Sequence, residues 1–303
     1  MALISIEDLA ACLEHDRPIA FGGAEFGRDR VRVVDVRWYL GKPGDGRRAY
    51  DAGHIPRAIF LDVDGDLADP PGAGRHPLPD PAVFRQRLER AGIGSDHLVI
   101  VYDDVGGWVA ARLWWMLEDL GHLAVGVLDG GFPAWVAAGC SVTTDEPAFP
   151  PGTLDLADWW RRVIDREELR DRLGSVVVLD ARAPERYRGE TEPIDAVAGH
   201  IPTAVSAPVA GNTNAEGRFR PAWELAERLA ALGVDARDGQ PVVTSCGSGV
   251  SACQTALAMR IAGLPDPILY PGSYSDWTRA GLPVNTGPGP GDVPDPLGVA
   301  PGH

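Results

Sequence analysis

Short runs of consecutive apolar residues alternate along the chain with longer stretches in which apolar residues recur every three or four positions. The first pattern is typical of strands buried on both faces, and the second of helices that cover such strands. The predicted strands are residues 31–36, 59–61, 98–102, 125–128, 176–179, a short one near 205, 242–244 and 268–270. The predicted helices are residues 5–13, 81–91, 108–120, 221–232 and one that ends at residue 263. Strands that alternate with helices indicate mostly parallel sheets and an α/β fold.

This order of predicted elements occurs twice. A strand ends at Asp35 and again at Asp180, and a Gly-His-Ile-Pro box occurs at 53–56 and again at 199–202. The two repeats have nearly the same offset, which makes chance resemblance between the halves unlikely and indicates a duplication. We therefore predict two tandem domains, each a mostly parallel sheet flanked by helices. The expected boundaries are 1–140 for the first domain, 141–160 for a linker, 161–286 for the second domain and 287–303 for a Gly- and Pro-rich tail.

The strand predicted at 242–244 leads to Cys246 and a loop of small residues before the next helix. The free N–H groups of a helix N-terminus stabilise a thiolate. Glycines allow the loop to curl so that several amides point at one spot. Such a spot suits an anionic sulfur bonded to Cys246, as in a cysteine persulfide, and Cys246 is the predicted nucleophile. The residues expected to form the cradle are Gly247, Ser248, Gly249, Val250 and Ser251.

Two other interpretations of this loop compete with a nucleophilic cysteine. A cysteine at a strand end is more often a core residue, but a core position does not require the Gly-Ser-Gly sequence that follows Cys246. A phosphatase loop carries an arginine six positions after its cysteine, where this chain has Ala252. Without that guanidinium, bidentate binding of phosphate is lost, which argues against phosphate-ester hydrolysis.

Composition narrows the function further. The formal net charge of −15 argues against nucleic-acid binding and against docking on anionic membranes. The four cysteines form no C-x-x-C pair, so neither a zinc site nor a disulfide framework is expected. We predict no metal and no cofactor. The N-terminal residues lack the features of a signal peptide, and no apolar run has the length of a membrane span, so a cytoplasmic location is expected.

Several short motifs, taken together and in order, resemble those of the two-domain sulfurtransferases, the rhodanese and 3-mercaptopyruvate sulfurtransferase family. The resemblance covers roughly residues 1 to 285. The motifs are Asp35-Val-Arg-Trp-Tyr-Leu, both Gly-His-Ile-Pro boxes, Arg112-Leu-Trp-Trp-Met, Leu128-Asp-Gly-Gly-Phe with Trp135, Arg186-Tyr187 and Cys246-Gly-Ser-Gly-Val-Ser-Ala.

The resemblance implies a ping-pong reaction in which a small anionic donor passes sulfur to the cysteine of the second domain. A thiophilic acceptor such as cyanide, a small thiol or thioredoxin then removes it. The first domain would be non-catalytic, because Asp103 stands where the second domain has Cys246. The alternative from another class is a non-catalytic rhodanese-like binding module, although such modules usually lose the cysteine or its small-residue loop.

The resemblance also suggests the donor. Rhodaneses that act on thiosulfate tend to carry a basic residue directly after the cysteine, whereas mercaptopyruvate enzymes carry a neutral loop like the one after Cys246. We therefore favour 3-mercaptopyruvate, with thiosulfate as the alternative. An arginine that follows Glu-Pro in the familiar bacterial mercaptopyruvate enzymes is replaced here by Ile194. Arg186 is the expected substrate-binding cation, and Arg188 is a weaker candidate.

Mercaptopyruvate enzymes are also thought to use a histidine and an aspartate of the first domain near the cleft. By this resemblance His54 is a candidate for the histidine and Asp45 for its partner. The histidine of a Gly-His-Ile-Pro box can instead stabilise the turn that follows it. Because His200 occupies the same place in the other copy, a structural role is the competing interpretation for both histidines.

Overall fold

The protein was analysed as a computed structural model, which describes residues 2–234 and 239–294. The strands of the first half are β1 (Leu3–Ile4), β2 (Ile19–Phe21), β3 (Ala24–Phe26), β4 (Val31–Asp35), β5 (Ala58–Phe60), β6 (Leu98–Tyr102) and β7 (Val125–Leu128). Its helices are α1 (Ile6–His15), α2 (Asp45–Ala52), α3 (Pro81–Arg90), α4 (Ala110–Asp119) and α5 (Gly131–Ala137).

The strands of the second half are β8 (Val177–Asp180), β9 (Val205–Ser206), β10 (Val242–Ser245) and β11 (Ile268–Leu269). Its helices are α6 (Arg166–Asp171), α7 (Pro184–Tyr187), α8 (Ala222–Ala231), α9 (Ala252–Ile261) and α10 (Ser273–Arg279). The α/β fold class with parallel sheets is therefore confirmed.

The two sheets share the same strand order over four strands, and the first sheet has β1 as an additional edge strand. The first has the strand order β1-β7-β6-β4-β5 and the second has β11-β10-β8-β9, with every neighbouring pair parallel. The strand β6 thus corresponds to β10, and the loop after each leads into a long helix. The carboxyl ends of parallel strands meet at one sheet edge, where ligand sites of α/β proteins usually form.

The runs of consecutive apolar residues form the central strands, whose two faces are both buried. Every residue of β4, β6 and β7 is buried. Some elements were not predicted, including the hairpin β2–β3 and the helix α2 in a stretch expected to be loop. The helix α2 buries only Gly46 and Tyr50, so its sequence has too few apolar positions to show a helical period.

The helices α4 and α9 join the two halves. All ten residues of α4 are buried, and Trp114 and Trp115 belong to the same apolar core as Ala256 and Leu257 of α9. The catalytic loop candidate lies directly before α9, so this packing brings it against the first half.

The predicted linker, residues 141–160, packs along the first half. Gly152 donates a backbone hydrogen bond to the carbonyl oxygen of Glu89 at 2.8 Å, and Leu154 is buried. The indole N–H of Trp160 donates to the carbonyl oxygen of Pro79 at 3.0 Å. The exact domain boundaries stay a prediction, and residues 295–303 of the predicted tail lie outside the described residues. In the part of the chain that is described, no helix has both the length and the apolar character needed to cross a membrane.

Candidate active site

Cys246 follows β10 at the carboxyl edge of the second sheet and is 2% exposed. Its sulfur accepts a hydrogen bond from the amide of Gly249 at 3.1 Å, and its own amide donates to the hydroxyl of Ser273 at 3.1 Å. Gly249 has φ 80°, and a Cβ there would lie 2.5 Å from the carbonyl oxygen of Pro271. The loop therefore depends on glycine at this position to curl around the sulfur.

The corresponding loop of the first half contains a carboxylate in place of the thiol. Asp103 is fully buried, and its two oxygens accept hydrogen bonds from the amides of Val105, Gly107, Val109 and Ala110 at 2.8 to 3.0 Å. Burial raises the pKa of Asp103, and these four bonds oppose that rise. In this loop, backbone amides therefore surround a carboxylate that lies one bond beyond the Cβ. The outer sulfur of a Cys246 persulfide would also lie beyond the Cβ, in the corresponding loop.

A histidine of the first half contacts the loop that follows Cys246. Nδ1 of His76 lies 2.7 Å from the hydroxyl of Ser248, and its Nε2 lies 3.1 Å from Oδ1 of Asp64. Burial lowers the pKa of His76 to about 4, although Asp64 raises it; Arg112 and Arg75 lower it further. The imidazole is consequently neutral near pH 7. With Nε2–H donating to Asp64, Nδ1 can accept the proton of Ser248.

Arg112 connects the two halves beneath this loop. Its guanidinium is fully buried and donates to the carbonyl oxygens of Gly249 at 3.0 Å, His76 at 3.1 Å and Leu67 at 3.2 Å. Burial lowers the pKa of Arg112, which the nearby Cys253 and Cys246 oppose. A cation in this position ties His76 to the cysteine loop and adds positive potential beside the sulfur.

Cys246 opens into a cleft of about 210 Å³ between the two halves. Its lining includes Trp38, Arg75, Trp108, Arg186, Cys246 and Ser248. Arg186 forms an ion pair with Glu192 at 2.8 Å and a second with Asp195 at 3.3 Å. The cleft is therefore small, lined by tryptophans on the first-half side, and flanked by guanidinium groups.

The remaining predicted residues divide into two groups. Gly247, Val250 and Ser251 line the cleft with Cys246, and their role as a persulfide cradle stays a prediction. Arg188, His54 and Asp45 do not belong to the cleft lining: Arg188 pairs with Glu190 at 2.7 Å on the surface.

The two histidine boxes have similar surroundings. His54 stacks on Tyr50 at 3.7 Å, and Nδ1 lies 2.9 Å from the carbonyl oxygen of that tyrosine. His200 stacks on Tyr187 in the same way at 3.8 Å. Asp45, the candidate partner of His54, begins α2 and pairs with Arg48. A different histidine and aspartate of the first half lie beside the cysteine loop: His76 contacts Ser248, and Asp64 contacts His76.

Sequence reasoning missed Arg75, His76 and Asp64. They lie in a stretch that is rich in Gly, Pro and Asp and has no apolar periodicity. The sequence therefore predicted no strand or helix there. The one available signal was an adjacent arginine and histidine in an irregular segment, where binding residues often occur.

Comparison with known proteins identifies the family of the chain. The model of the rhodanese-like domain family matches residues 24–138 and 165–280. A Pseudomonas aeruginosa protein, provisionally named a 3-mercaptopyruvate sulfurtransferase, is 44% identical over 87% of this chain and 95% of its own length. A Mycobacterium tuberculosis protein, provisionally named the thiosulfate sulfurtransferase SseB, is 41% identical over 82% of this chain and 88% of its own.

Solved structures show the same similarity. SseA from Escherichia coli, described as a 3-mercaptopyruvate sulfotransferase, superimposes with a TM-score of 0.75 at 26% identity. The superposition covers 90% of this chain and 98% of SseA. With two matched domains and relatives of this identity along most of its length, the chain belongs to the rhodanese family of two-domain sulfurtransferases.

Proposed function

We propose that this sulfurtransferase takes its sulfur from 3-mercaptopyruvate and passes it through a Cys246 persulfide to a thiophilic acceptor. The observation that carries the proposal is the hydrogen-bonded series Ser248–His76–Asp64 beside a neutral cysteine loop. A donor that leaves as pyruvate needs a proton delivered to its enolate, and this series can deliver one. Thiosulfate leaves as sulfite and has no such requirement.

In the first half-reaction, Cys246 loses its proton to His76 through the hydroxyl of Ser248. The thiolate attacks the donor sulfur, an S–S bond forms, and the electron pair of the broken C–S bond stays with the pyruvate enolate. His76 then returns the proton, through Ser248, to the enolate carbon. The products are pyruvate and the Cys246 persulfide.

In the second half-reaction, an acceptor thiolate or cyanide attacks the outer sulfur of the persulfide. The S–S bond breaks and its electron pair returns to Cys246. The loop amides stabilise the anionic sulfur at each stage, as the equivalent amides stabilise Asp103. We propose a small thiol, cyanide or a thioredoxin-like protein as acceptor. We place the protein in the cytoplasm, because its four free thiols suit a reducing compartment.

Thiosulfate is the second candidate donor. It is favoured by the two guanidinium groups, of Arg75 and Arg186, that flank the cleft and could neutralise a dianion. The relative provisionally named a thiosulfate sulfurtransferase adds support for this alternative.

The deciding experiment compares kcat/KM for 3-mercaptopyruvate and thiosulfate, with cyanide as the common acceptor. We expect 3-mercaptopyruvate to be favoured by about tenfold or more, which corresponds to about 1.4 kcal/mol of transition-state stabilisation. A preference for thiosulfate of the same size would reject the proposed donor.

A further inference from the structure

A second arginine lies against the catalytic loop, and it comes from the non-catalytic half. A Cβ added to Gly247 would lie 2.8 Å from Nη2 of Arg75 and 3.6 Å from Nη1 of Arg186. The two guanidinium groups therefore approach the residue next to Cys246 together. The backbone amide of Arg75 donates to the hydroxyl of Ser275 at 3.1 Å, which fixes this first-half segment on the second half.

By the resemblance described above, Ile194 occupies the place where the familiar bacterial mercaptopyruvate enzymes carry an arginine after Glu-Pro. The side chain of Ile194 is 38% exposed and supplies no charge. Arg75 supplies a guanidinium at the same cleft from a different part of the chain. Its Nε is buried without a hydrogen-bond partner among the described residues, so the side chain retains an unused donor.

Asp195 lies between the two arginines. One carboxylate oxygen pairs with Arg75, and the other lies 3.3 Å from Nη2 of Arg186. Among the described residues, its carboxylate accepts hydrogen bonds only from these two guanidinium groups. The side chain is 5% exposed, although its neighbour Ile194 is exposed. An internal carboxylate thus takes the position that an anionic donor would need.

Glu192 differs from Asp195 because it is built into the loop. Its Oε1 accepts hydrogen bonds from the amides of Ile194 and Asp195, both at 3.1 Å, as well as from Arg186 at 2.8 Å. Burial raises the pKa of Glu192, the hydrogen bonds from Arg186 and the Asp195 amide lower it, and the net shift is downward. Of the two carboxylates, that of Asp195 accepts fewer hydrogen bonds, so it is the one that a substrate anion can displace.

We infer that Arg75 is the second guanidinium that binds the donor's carboxylate, and that Asp195 is an internal counter-ion which the donor displaces. This inference rests on the proposed function, since it assigns residues to the carboxylate of 3-mercaptopyruvate. Before binding, Asp195 bridges Arg75 and Arg186. The carboxylate of the donor replaces it on both arginines, and the loop that carries Asp195 moves its charge towards solvent.

The test measures KM and kcat for 3-mercaptopyruvate, and inhibition by pyruvate, in Arg75→Gln and Asp195→Asn. Losing a ground-state contact raises KM with little change in kcat, so Arg75→Gln should raise KM about tenfold or more. Removing the internal competitor should lower KM about threefold in Asp195→Asn, with pyruvate inhibiting at lower concentration. In the double variant, Asp195→Asn should lower KM less than it does alone, because Asp195 then competes with the donor for Arg186 only.

The matched control is Arg85→Gln, which removes a first-half arginine paired on the surface with Asp158 at 3.4 Å. Its KM should equal that of the unaltered protein. An Arg75→Gln variant with KM unchanged within about twofold for both donors would overturn the assignment of Arg75. A higher KM in Asp195→Asn would show that Asp195 orients Arg75. It would overturn the inference that the donor displaces Asp195.

These outcomes are separable from the donor question. If the unaltered protein prefers thiosulfate, the proposed donor fails, yet Arg75→Gln still reports whether Arg75 binds an anion. If 3-mercaptopyruvate is preferred and Arg75→Gln behaves like Arg85→Gln, the proposed function stands and this inference fails.

Discussion

At the scale of single residues, Cys246 and Cys253 show how different surroundings separate two nearby thiols. The sulfur of Cys246 lines the cleft and accepts a hydrogen bond from the amide of Gly249. Cys253 is 0% exposed, and its thiol donates to the carbonyl oxygen of that glycine at 3.4 Å. Burial raises the pKa of Cys253 to about 12. Only Cys246 has both an open side and a donor to its sulfur.

We predict that Cys246→Ser abolishes turnover and that the protein no longer gains the mass of one sulfur when it is incubated with donor. Cys253→Ser should keep both properties, because its thiol stays protonated and faces no cleft. Steady-state assays and intact-protein mass spectrometry measure the two. A persulfide mass that disappears in Cys253→Ser but not in Cys246→Ser would show that the nucleophile has been misassigned.

The sequence predicted Cys246 because its motif is local, with strand, thiol and glycine loop within a few positions. It did not predict His76 or Arg75, because their contacts with Ser248 and Asp195 join residues 172 and 120 positions apart. A pattern along the chain cannot show which irregular segment of one domain reaches a loop of the other.

At the scale of elements, each half places a loop between a buried strand and a long helix, and backbone amides of the loop donate hydrogen bonds to its first side chain. In the first half the loop after β6 surrounds Asp103, and in the second the loop after β10 surrounds Cys246. The strands were predictable because β-branched residues in short apolar runs favour buried parallel strands. Which amides of a loop point at its first side chain depends on the curvature of the backbone. Residue types alone do not specify that curvature.

We predict that Asp103→Asn destabilises the protein. The amide nitrogen of asparagine would meet backbone donors and leave some of the four buried N–H groups unpaired, at a cost on the order of 3 kcal/mol. Guanidinium denaturation followed by tryptophan fluorescence measures the change. Asp96→Asn, at an exposed position, is the control and should shift the midpoint little. An equal effect of the two substitutions would contradict the role given to Asp103.

At the scale of the whole molecule, charged residues reinforce the apolar contact between α4 and α9. Arg162 donates to Asp119 at 2.9 Å and pairs with Asp266 at 2.6 Å, so it links α4 to the segment after α9. Glu118 pairs with both Arg162 and Arg260. The side chain of Asp119 is 0% exposed, so water cannot replace the guanidinium of Arg162 if that group is lost.

We predict that Arg162→Ala lowers the free energy of unfolding by about 2 kcal/mol, because it removes the guanidinium that pairs with the buried carboxylate of Asp119. The effect should fall below that of breaking a wholly buried pair, since Arg162 is 25% exposed. Arg170→Ala is the control, because Arg170 and Asp171 form an exposed pair that contributes little. Thermal and denaturant unfolding measure both; similar shifts in the two variants would exclude a stabilising role for the Arg162 contacts.

The division of the site between two halves has a consequence for how the protein is made. The ribosome completes His76 170 residues before it reaches Cys246. At about 5–20 residues per second the interval is roughly 10 to 35 s, and N-terminal domains generally fold first. We therefore expect the first half to be folded when the cysteine loop emerges. Until α9 docks on it, Ser248 lacks its contact with His76, so we expect sulfur transfer to begin only after docking.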